Sequence, residues 1–209
     1  MKKILIYGDS NVWGDNFLTG IRIPDEKQWV NILQNKLGKE YKLLQEGLPG
    51  RLAGSDEKEK VYKNGKDTFI STFRTNAPVD MLIIALGTND LQFKYNKTGE
   101  DVINDLIWYK NILEEMIKDE DDKKKYFVNG KMPEMLYILP INFDYKVNAS
   151  VIFDEQKEIE RQKIISYFNN KKIKNIIFND IDLFDDGIHL NYDGLKKMAD
   201  RVFGEIKYE

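Results

Sequence analysis

Four polar segments of the sequence, each containing glycine, hold the residues that could do chemistry. They read GDSNVWG (8–14), EGLPGR (46–51), GTND (87–90) and DGIH (186–189). A serine hydroxyl such as that of Ser10 is a poor nucleophile at neutral pH and must give its proton to a base. Cysteine is absent and His189 is the only histidine, so the base is either this imidazole or a carboxylate. The imidazole is favoured because its pKa lies near the working pH.

The imidazole of His189 needs a partner that fixes its tautomer, and three acidic residues lie just before it. The D-x-x-H spacing favours Asp186 over Asp185 and Asp182. A glycine-containing turn follows Asp186 and can fold its carboxylate back towards the ring. Since the chain has one imidazole, we expect its ionisation to be the only one that controls activity on the acid side of neutrality.

An attack by Ser10 on an ester would create an oxyanion, which needs two or three hydrogen-bond donors. The backbone N–H groups of Ser10 and Gly50 and the side-chain amide of Asn89 are suited to supply them. Together with the base and its partner, these donors predict a complete acyl-transfer site.

Each of these residues also has an ordinary structural interpretation. Asp9 and Ser10 suit a helix N-cap, and Gly50 suits a turn. Asn89 and Asp90 suit helix N-caps as well, and we expect Asp90 to serve as one. A lone histidine near a carboxylate is usually a solvated pair. The presence of all four segments, each in the stretch that follows a predicted strand, favours the catalytic interpretation.

Five short apolar runs, rich in Ile, Leu and Tyr, are predicted to be the strands that position these segments. The runs are Ile4–Tyr7, Tyr41–Leu44, Met81–Leu86, Met135–Leu139 and Ile176–Phe178. Apolar residues at helical spacing occur between the runs, for example over 101–118, and after the last run, where Asp193 is predicted as the N-cap. This alternation predicts an α/β fold with a mainly parallel sheet and helices on both faces. The four polar segments should then meet at the carboxyl edge of the sheet.

The chain is predicted to form one domain over residues 1–209, because no internal repeat or proline-rich linker divides it. Residues 51–66 are polar and predict a loop, with a turn at Asn64-Gly65. The mixed-charge run DEDDKKK within 119–133 predicts a solvated helix end or a surface loop.

The composition excludes several other classes of function. Acidic residues number 35 and basic residues 32, for a net charge of −3, which argues against general binding to nucleic acid. With no cysteine and one histidine, disulfide scaffolds, thiol nucleophiles and zinc sites with several imidazoles are excluded. The apolar runs are too short for a signal-peptide core or a membrane span. We therefore expect a cytoplasmic protein with no cofactor, no metal and no membrane insertion.

The four segments, in this order and over nearly the whole chain, resemble the four motif blocks of the SGNH (GDSL-type) serine hydrolases. The resemblance implies a flavodoxin-like three-layer α/β/α sandwich around a five-stranded parallel sheet of order 2-1-3-4-5. It also implies that Ser10 is the nucleophile and that Gly50 and Asn89 are oxyanion donors. His189 and Asp186 would complete the triad.

Asn11 departs from the family pattern, because GDSL has leucine at this position. The position is not a catalytic one, so we expect it to affect local packing alone. The motifs look most like the bacterial arylesterase and carbohydrate acetylesterase branch, which acts on small esters. The resemblance thus implies a serine esterase for small acyl (acetyl or aryl) esters that works through an acyl-enzyme. Relatives in this branch often associate, so a homo-oligomer stays open.

Three other functions remain as alternatives at this point. An acyltransferase would use the same acyl-enzyme, with an alcohol outcompeting water. A metal-dependent phosphate-handling protein would use Asp9, Asp90 and Asp186 as oxygen ligands. The third alternative is a flavodoxin-like binding module without catalytic activity.

Overall fold

A computed structural model describes residues 1–147 and 151–207 of the protein. Its strands are β1 (Lys2–Gly8), β2 (Asp15–Asn16), β3 (Ile21–Arg22), β4 (Tyr41–Gly47), β5 (Met81–Ala85), β6 (Glu134–Ile138) and β7 (Asn175–Ile176). Within the described residues, β2 and β3 form a small antiparallel pair, and the other five strands form one parallel sheet in the order β4-β1-β5-β6-β7. Counted along the chain this order is 2-1-3-4-5, so the predicted sheet is confirmed.

Helices connect the strands and cover the sheet. They are α1 (Ser10–Trp13), α2 (Trp29–Leu37), α3 (Gly65–Asn76), α4 (Gly99–Met116), α5 (Glu120–Tyr126), α6 (Glu155–Asn170) and α7 (Tyr192–Lys207). The predicted helix over 101–118 is α4, which begins with a capping box between Thr98 and Asp101. The charge run forms α5, with its acids in the first turn and its lysines in the last, as the helix dipole favours. In the described ranges, no helix is long and apolar enough to cross a membrane.

Alternate residues of β1 face opposite sides of the sheet. Leu5 and Tyr7 lie in a core with α3, α4 and α6, whereas Ile4 and Ile6 lie in a second core with α2 and α7. Because side chains alternate along a strand, one apolar run fills both cores. Each fully buried Leu or Ile contributes about 1.5–3 kcal/mol. Two cores on two faces make the predicted three-layer α/β/α sandwich.

The start of α7 differs from the predicted one. The helix begins at Tyr192, so Asp193 lies inside its first turn and does not cap it. Asn191 is the cap, because its Oδ1 accepts the N–H groups of Asp193 and Gly194, both at 3.0 Å. Asn and Asp are equally suited to an N-cap, so the sequence alone did not distinguish them.

The predicted turn at Asn64-Gly65 is also wrong. Residues 51–64 form a loop with one 3-10 turn, but Gly65 is the first residue of α3. A Cβ on Gly65 would lie 2.2 Å from the carbonyl oxygen of Leu52 and 2.4 Å from the hydroxyl of Tyr109. Glycine is therefore needed here for close packing between the helix and the loop.

The ends of three strands lie side by side at the carboxyl edge of the sheet. Gly8 at the end of β1 is in register with Gly47 of β4 on one side and with Ala85 of β5 on the other. The order of the strands reverses at β1, and open α/β sheets bind ligands at such a point. The first three polar segments thus begin next to one another.

Candidate active site

Ser10 is the first residue of α1 and is separated from β1 by Asp9 alone. The Asp9 carboxylate caps this short helix by accepting the N–H of Asn11 at 2.9 Å. The helix packs directly on β4, where a Cβ on Gly47 would lie 2.2 Å from the backbone nitrogen of Trp13. Glycine in the second segment therefore lets the helix that carries Ser10 approach the sheet.

The side chains of Ser10, His189 and Asp186 form a continuous chain of hydrogen bonds. Ser10 Oγ lies 3.0 Å from His189 Nε2, and His189 Nδ1 lies 2.5 Å from Asp186 Oδ2. Ser10 and Asp186 are both buried. In this geometry an imidazole can remove a proton from a hydroxyl while a carboxylate holds its tautomer.

The backbone of the turn that follows Asp186 holds its carboxylate in place. Asp186 Oδ1 accepts the N–H groups of Ile188 and His189, each at 3.1 Å, which leaves Oδ2 for the imidazole. The other two candidate acids have different surroundings. Asp182 pairs with Lys197 at 2.7 Å, and Asp185 is exposed. The D-x-x-H pair is therefore the one that meets at the ring.

Electrostatics favour an ionised Asp186 beside His189. Burial lowers the pKa of His189, but the hydrogen bond and charge of Asp186 outweigh it and raise the pKa above its ordinary 6.5. Burial raises the pKa of Asp186, but the hydrogen bonds from His189 and Ile188 outweigh it, so this pKa is lowered. The ionised carboxylate accepts Nδ1–H, which leaves the lone pair of Nε2 facing Ser10.

Asp9 is a second group that titrates near neutrality. Burial raises the pKa of Asp9 to about 6, although the Asn11 N–H and the charges of His189 and Arg51 lower it. His189 is therefore not the only group of the site with a pKa in this range, and its sole control of activity stays a prediction. The motif gives an acid next to Ser10, but the burial that shifts its pKa arises from tertiary packing.

Asn89 follows β5 in a short 3-10 turn, and its amide is held at both ends. Its Nδ2 donates to the carbonyl of Arg51 at 3.1 Å, and its Oδ1 accepts from Gln92 Nε2 at 2.9 Å. These two bonds fix the direction in which the amide points. The amide has a second N–H, which is suited to an oxyanion.

Arg51 holds the end of β4 against the end of β1. Its Nη1 donates to the carbonyls of Gly8 at 3.0 Å and of Glu46 at 2.5 Å. Gly50 directly precedes Arg51 in the chain, in the loop that begins where these two strands end. Apart from the place of Arg51 at the end of EGLPGR, no sequence pattern indicates this role.

Asp90 is fully buried and does not cap a helix, contrary to our expectation. Its carboxylate accepts the N–H groups of Ala53 at 2.7 Å and Gly54 at 3.1 Å, and it pairs with Lys97 at 3.0 Å. Asp90 therefore ties the loop after β4 to the turn that carries Asn89. Ala53 and Gly54 lie 37 and 36 positions away in the chain, so no local pattern could have predicted these two partners.

The three acids of the metal alternative have separate partners. Asp90 binds two backbone N–H groups and a lysine, whereas Asp186 binds the imidazole and two other N–H groups. Asp9 caps α1. In the part of the chain that the structure describes, no three His, Asp or Glu side chains are grouped as a metal site.

The family model described as GDSL-like lipase/acylhydrolase matches residues 4–202. The chain belongs to this family. The match confirms the family resemblance of the four segments. The family groups lipases with acylhydrolases, as its name says.

Solved structures of bacterial esterases share the fold. The aryl esterase of M. smegmatis superimposes with a TM-score of 0.81 and 20% identity, covering 100% of this chain and 99% of that one. A carbohydrate acetylesterase family member from Sinorhizobium meliloti gives a TM-score of 0.81 and 22% identity, with 100% and 98% covered. An acetylxylan esterase of Xylanibacter ruminicola is 30% identical over 140 residues, 61% of this chain. The match spans 28% of that longer esterase.

Proposed function

We propose that this protein is a carboxylic ester hydrolase that deacylates small acyl esters through an acyl-enzyme. Ser10 is the nucleophile, His189 the general base and Asp186 the partner of the imidazole. The observation that carries the proposal is the pair of hydrogen bonds, 3.0 Å and 2.5 Å, that links these three side chains. Membership in a family of acylhydrolases supports the same chemistry.

In the first half of the reaction, Ser10 Oγ attacks the carbonyl carbon of the ester while His189 Nε2 takes its proton. Asp186 stabilises the imidazolium that forms, since its ionised carboxylate already accepts Nδ1–H. The tetrahedral intermediate then collapses and expels the alcohol, which receives the proton from Nε2. The acyl group stays on Ser10.

The negative oxygen of the tetrahedral intermediate is stabilised by the N–H groups of Ser10 and Gly50 and by the second N–H of Asn89. Such donors are effective because they are already oriented before charge develops. Arg51 and Asp90 supply that orientation through their bonds to the ends of β1 and β4 and to the adjoining loop. Water then attacks the acyl-enzyme with His189 again as the base, which releases the acid.

Acetyl and aryl esters are the substrates that we propose for this site. Large apolar side chains are exposed on segments that follow the carboxyl ends of β1, β4, β5 and β7 along the chain, and exposed apolar surface suits contact with an aryl or short acyl group. They are Phe17, Leu18, Ile21, Val61, Tyr62, Phe93 and Tyr192. The proteins named as aryl esterase, carbohydrate acetylesterase and acetylxylan esterase suggest the same classes of ester for this chain.

A fluorophosphonate probe tests the proposal directly. We expect it to label wild-type protein once, at Ser10, with or without chelator, and to leave Ser10→Ala unlabelled in intact-mass spectra. In assays with aryl acetates, acetylated sugars and longer acyl esters, Ser10→Ala should lose kcat by about 10³–10⁶-fold. A folded Ser10→Ala variant that retains most of the activity would rule out the acyl-enzyme. An added alcohol that yields a new ester instead of the acid would identify an acyltransferase.

A further inference from the structure

Asn11 directly follows the proposed nucleophile, and its side chain contacts the backbone on both sides of His189. Asn11 Oδ1 accepts the N–H of Leu190 at 2.9 Å, and Asn11 Nδ2 donates to the carbonyl of Ile188 at 3.4 Å. The orientation of the amide follows from these partners, since an N–H can only donate and a carbonyl can only accept. Asn11 thus brackets the residue that carries the imidazole.

The main chain of Asn11 is itself firmly held. Its N–H donates to the Asp9 carboxylate at 2.9 Å, and its carbonyl accepts from Trp29 Nε1 at 3.0 Å. Trp29 is buried in the core against α7. The side chain of Asn11 therefore extends towards His189 from a fixed point on the helix that also carries Ser10.

Besides the Asn11 bonds, the imidazole of His189 is bonded to Ser10, and the carbonyl of Gly187 accepts the N–H of Asp144 at 2.8 Å. The backbone bonds closest to His189 are internal to its turn. Asp186 accepts the N–H groups of Ile188 and His189, and the N–H of Phe184 donates to the carbonyl of His189 at 2.8 Å. These bonds fix the shape of the turn but not its distance from α1. The two bonds of Asn11 join the turn to α1, across 177 and 179 positions of the chain.

We propose that Asn11 is a positioning residue that sets the distance and angle between Ser10 Oγ and His189 Nε2. The proposal rests on the function proposed above, because the angle matters only if a proton passes between these atoms. Ser10 and Asn11 are consecutive, so a shift of the turn relative to α1 strains the Asn11 bonds at once. A misplacement of about 1 Å between reacting groups costs on the order of 10²-fold in rate.

Asn11→Leu is the direct test, since it restores the residue of the GDSL pattern while removing both bonds at similar side-chain volume. We expect kcat for an aryl acetate to fall by about 10–100-fold, up to the cost of a misplacement of about 1 Å between reacting groups. KM should stay unchanged, because Asn11 acts through His189 and does not bind the ester. Asn11→Asp keeps the acceptor for Leu190 and should recover part of the lost kcat at the plateau of the pH profile.

Asn142, which follows β6, offers a matched control because its side chain bonds to Ile181, upstream of His189. Its Oδ1 accepts the N–H of Ile181 at 2.9 Å and its Nδ2 donates to the carbonyl of Ile181 at 3.2 Å. Asn142→Leu therefore removes the same two kinds of bond, five residues before Asp186. It should lower the unfolding temperature about as much as Asn11→Leu but leave kcat close to that of the wild type.

The single histidine gives a readout that loss of stability alone would not change. We expect the one set of imidazole NMR signals to shift or broaden in Asn11→Leu and to stay unchanged in Asn142→Leu. An Asn11→Leu variant with wild-type kcat, or with reduced kcat but unchanged imidazole signals, would overturn the positioning role. If wild-type protein itself fails to react with the fluorophosphonate, the proposed function fails and the positioning role fails with it. If Asn11→Leu does not fold, Asn11→Asp, compared with the wild type, decides by the same two readouts.

Discussion

Replacing Asp186 by asparagine should reverse the tautomer of the His189 imidazole while leaving the turn intact. The carboxylate uses Oδ1 to accept two backbone N–H groups and Oδ2 to accept Nδ1–H. In Asp186→Asn the amide oxygen must take the first position, because an NH₂ group cannot accept those N–H groups. The NH₂ group then lies at the Oδ2 position and donates to Nδ1.

The consequence for catalysis is large. With Nδ1 as acceptor, the proton of the neutral ring moves to Nε2, which faces Ser10 Oγ at 3.0 Å and can no longer take its proton. A wrong tautomer of this kind costs about 10⁴-fold in kcat, or about 5 kcal/mol of transition-state stabilisation. Loss of the negative charge also removes the main interaction that raises the pKa of His189, so this pKa should fall.

Two measurements and one control decide the outcome. Ester hydrolysis gives kcat, and ¹⁵N NMR of the only histidine reports which ring nitrogen carries the proton. Asp185→Asn removes a neighbouring exposed acid and should change neither. Asp186→Asn with a proton still on Nδ1, or with kcat within tenfold of wild type, would refute the tautomer argument. An equal effect of Asp185→Asn would show that only the local charge matters.

Three further predictions concern the oxyanion donors and the titrating groups. Asn89→Ala should lower kcat by about 10²–10³-fold with little change in KM, because its amide acts mainly once the oxyanion forms; a change confined to KM would make Asn89 a substrate-binding residue. The kcat/KM of the free enzyme should rise with pH, with a midpoint above 6.5, because His189 must lose the proton that Asp186, Asp15 and Asp9 favour. A kinetic midpoint that differs from the NMR titration of the ring by more than about one unit would exclude His189 as the base. Asp9→Asn should stabilise the fold at pH 8 by up to about 3 kcal/mol in urea unfolding, since burial raises the pKa of this acid from 3.8 to about 6. A raised pKa means that the wild type loses stability as the pH rises from 3.8 to about 6, because the buried Asp9 must then ionise. If Asp9→Asn stabilises the fold as much at pH 4 as at pH 8, this explanation is contradicted.

The sheet could be predicted from the sequence because its signal is local. Five short apolar runs, separated by segments with helical periodicity, predict buried parallel strands without any knowledge of how the strands are ordered in the sheet. The order 2-1-3-4-5 is a long-range property, and it came from the resemblance of four motifs to a family. Helix boundaries are harder to predict because neighbouring Asn and Asp residues are equally good N-caps. The sequence predicts Asp193 as the cap of α7, but Asn191 is the cap.

The sequence also determined the identities of the candidate site residues. One serine in a GDS triplet, one histidine in the whole chain and an acid three residues before it leave few other arrangements. The chemistry of each side chain is local, so residue type and spacing were enough to nominate Ser10, Asp186 and His189. The structure then brings these three within hydrogen-bond distance.

Only the tertiary structure decided how that site is held together. Asp90 reaches back to Ala53 and Gly54, Asn11 reaches forward to Ile188 and Leu190, and burial moves the pKa of Asp9 to about 6. Each of these facts depends on groups that lie far apart in the chain and meet only after the layers pack. The length of a hydrogen bond can vary by only a few tenths of an ångström, and the order of residues along the chain does not specify distances this finely.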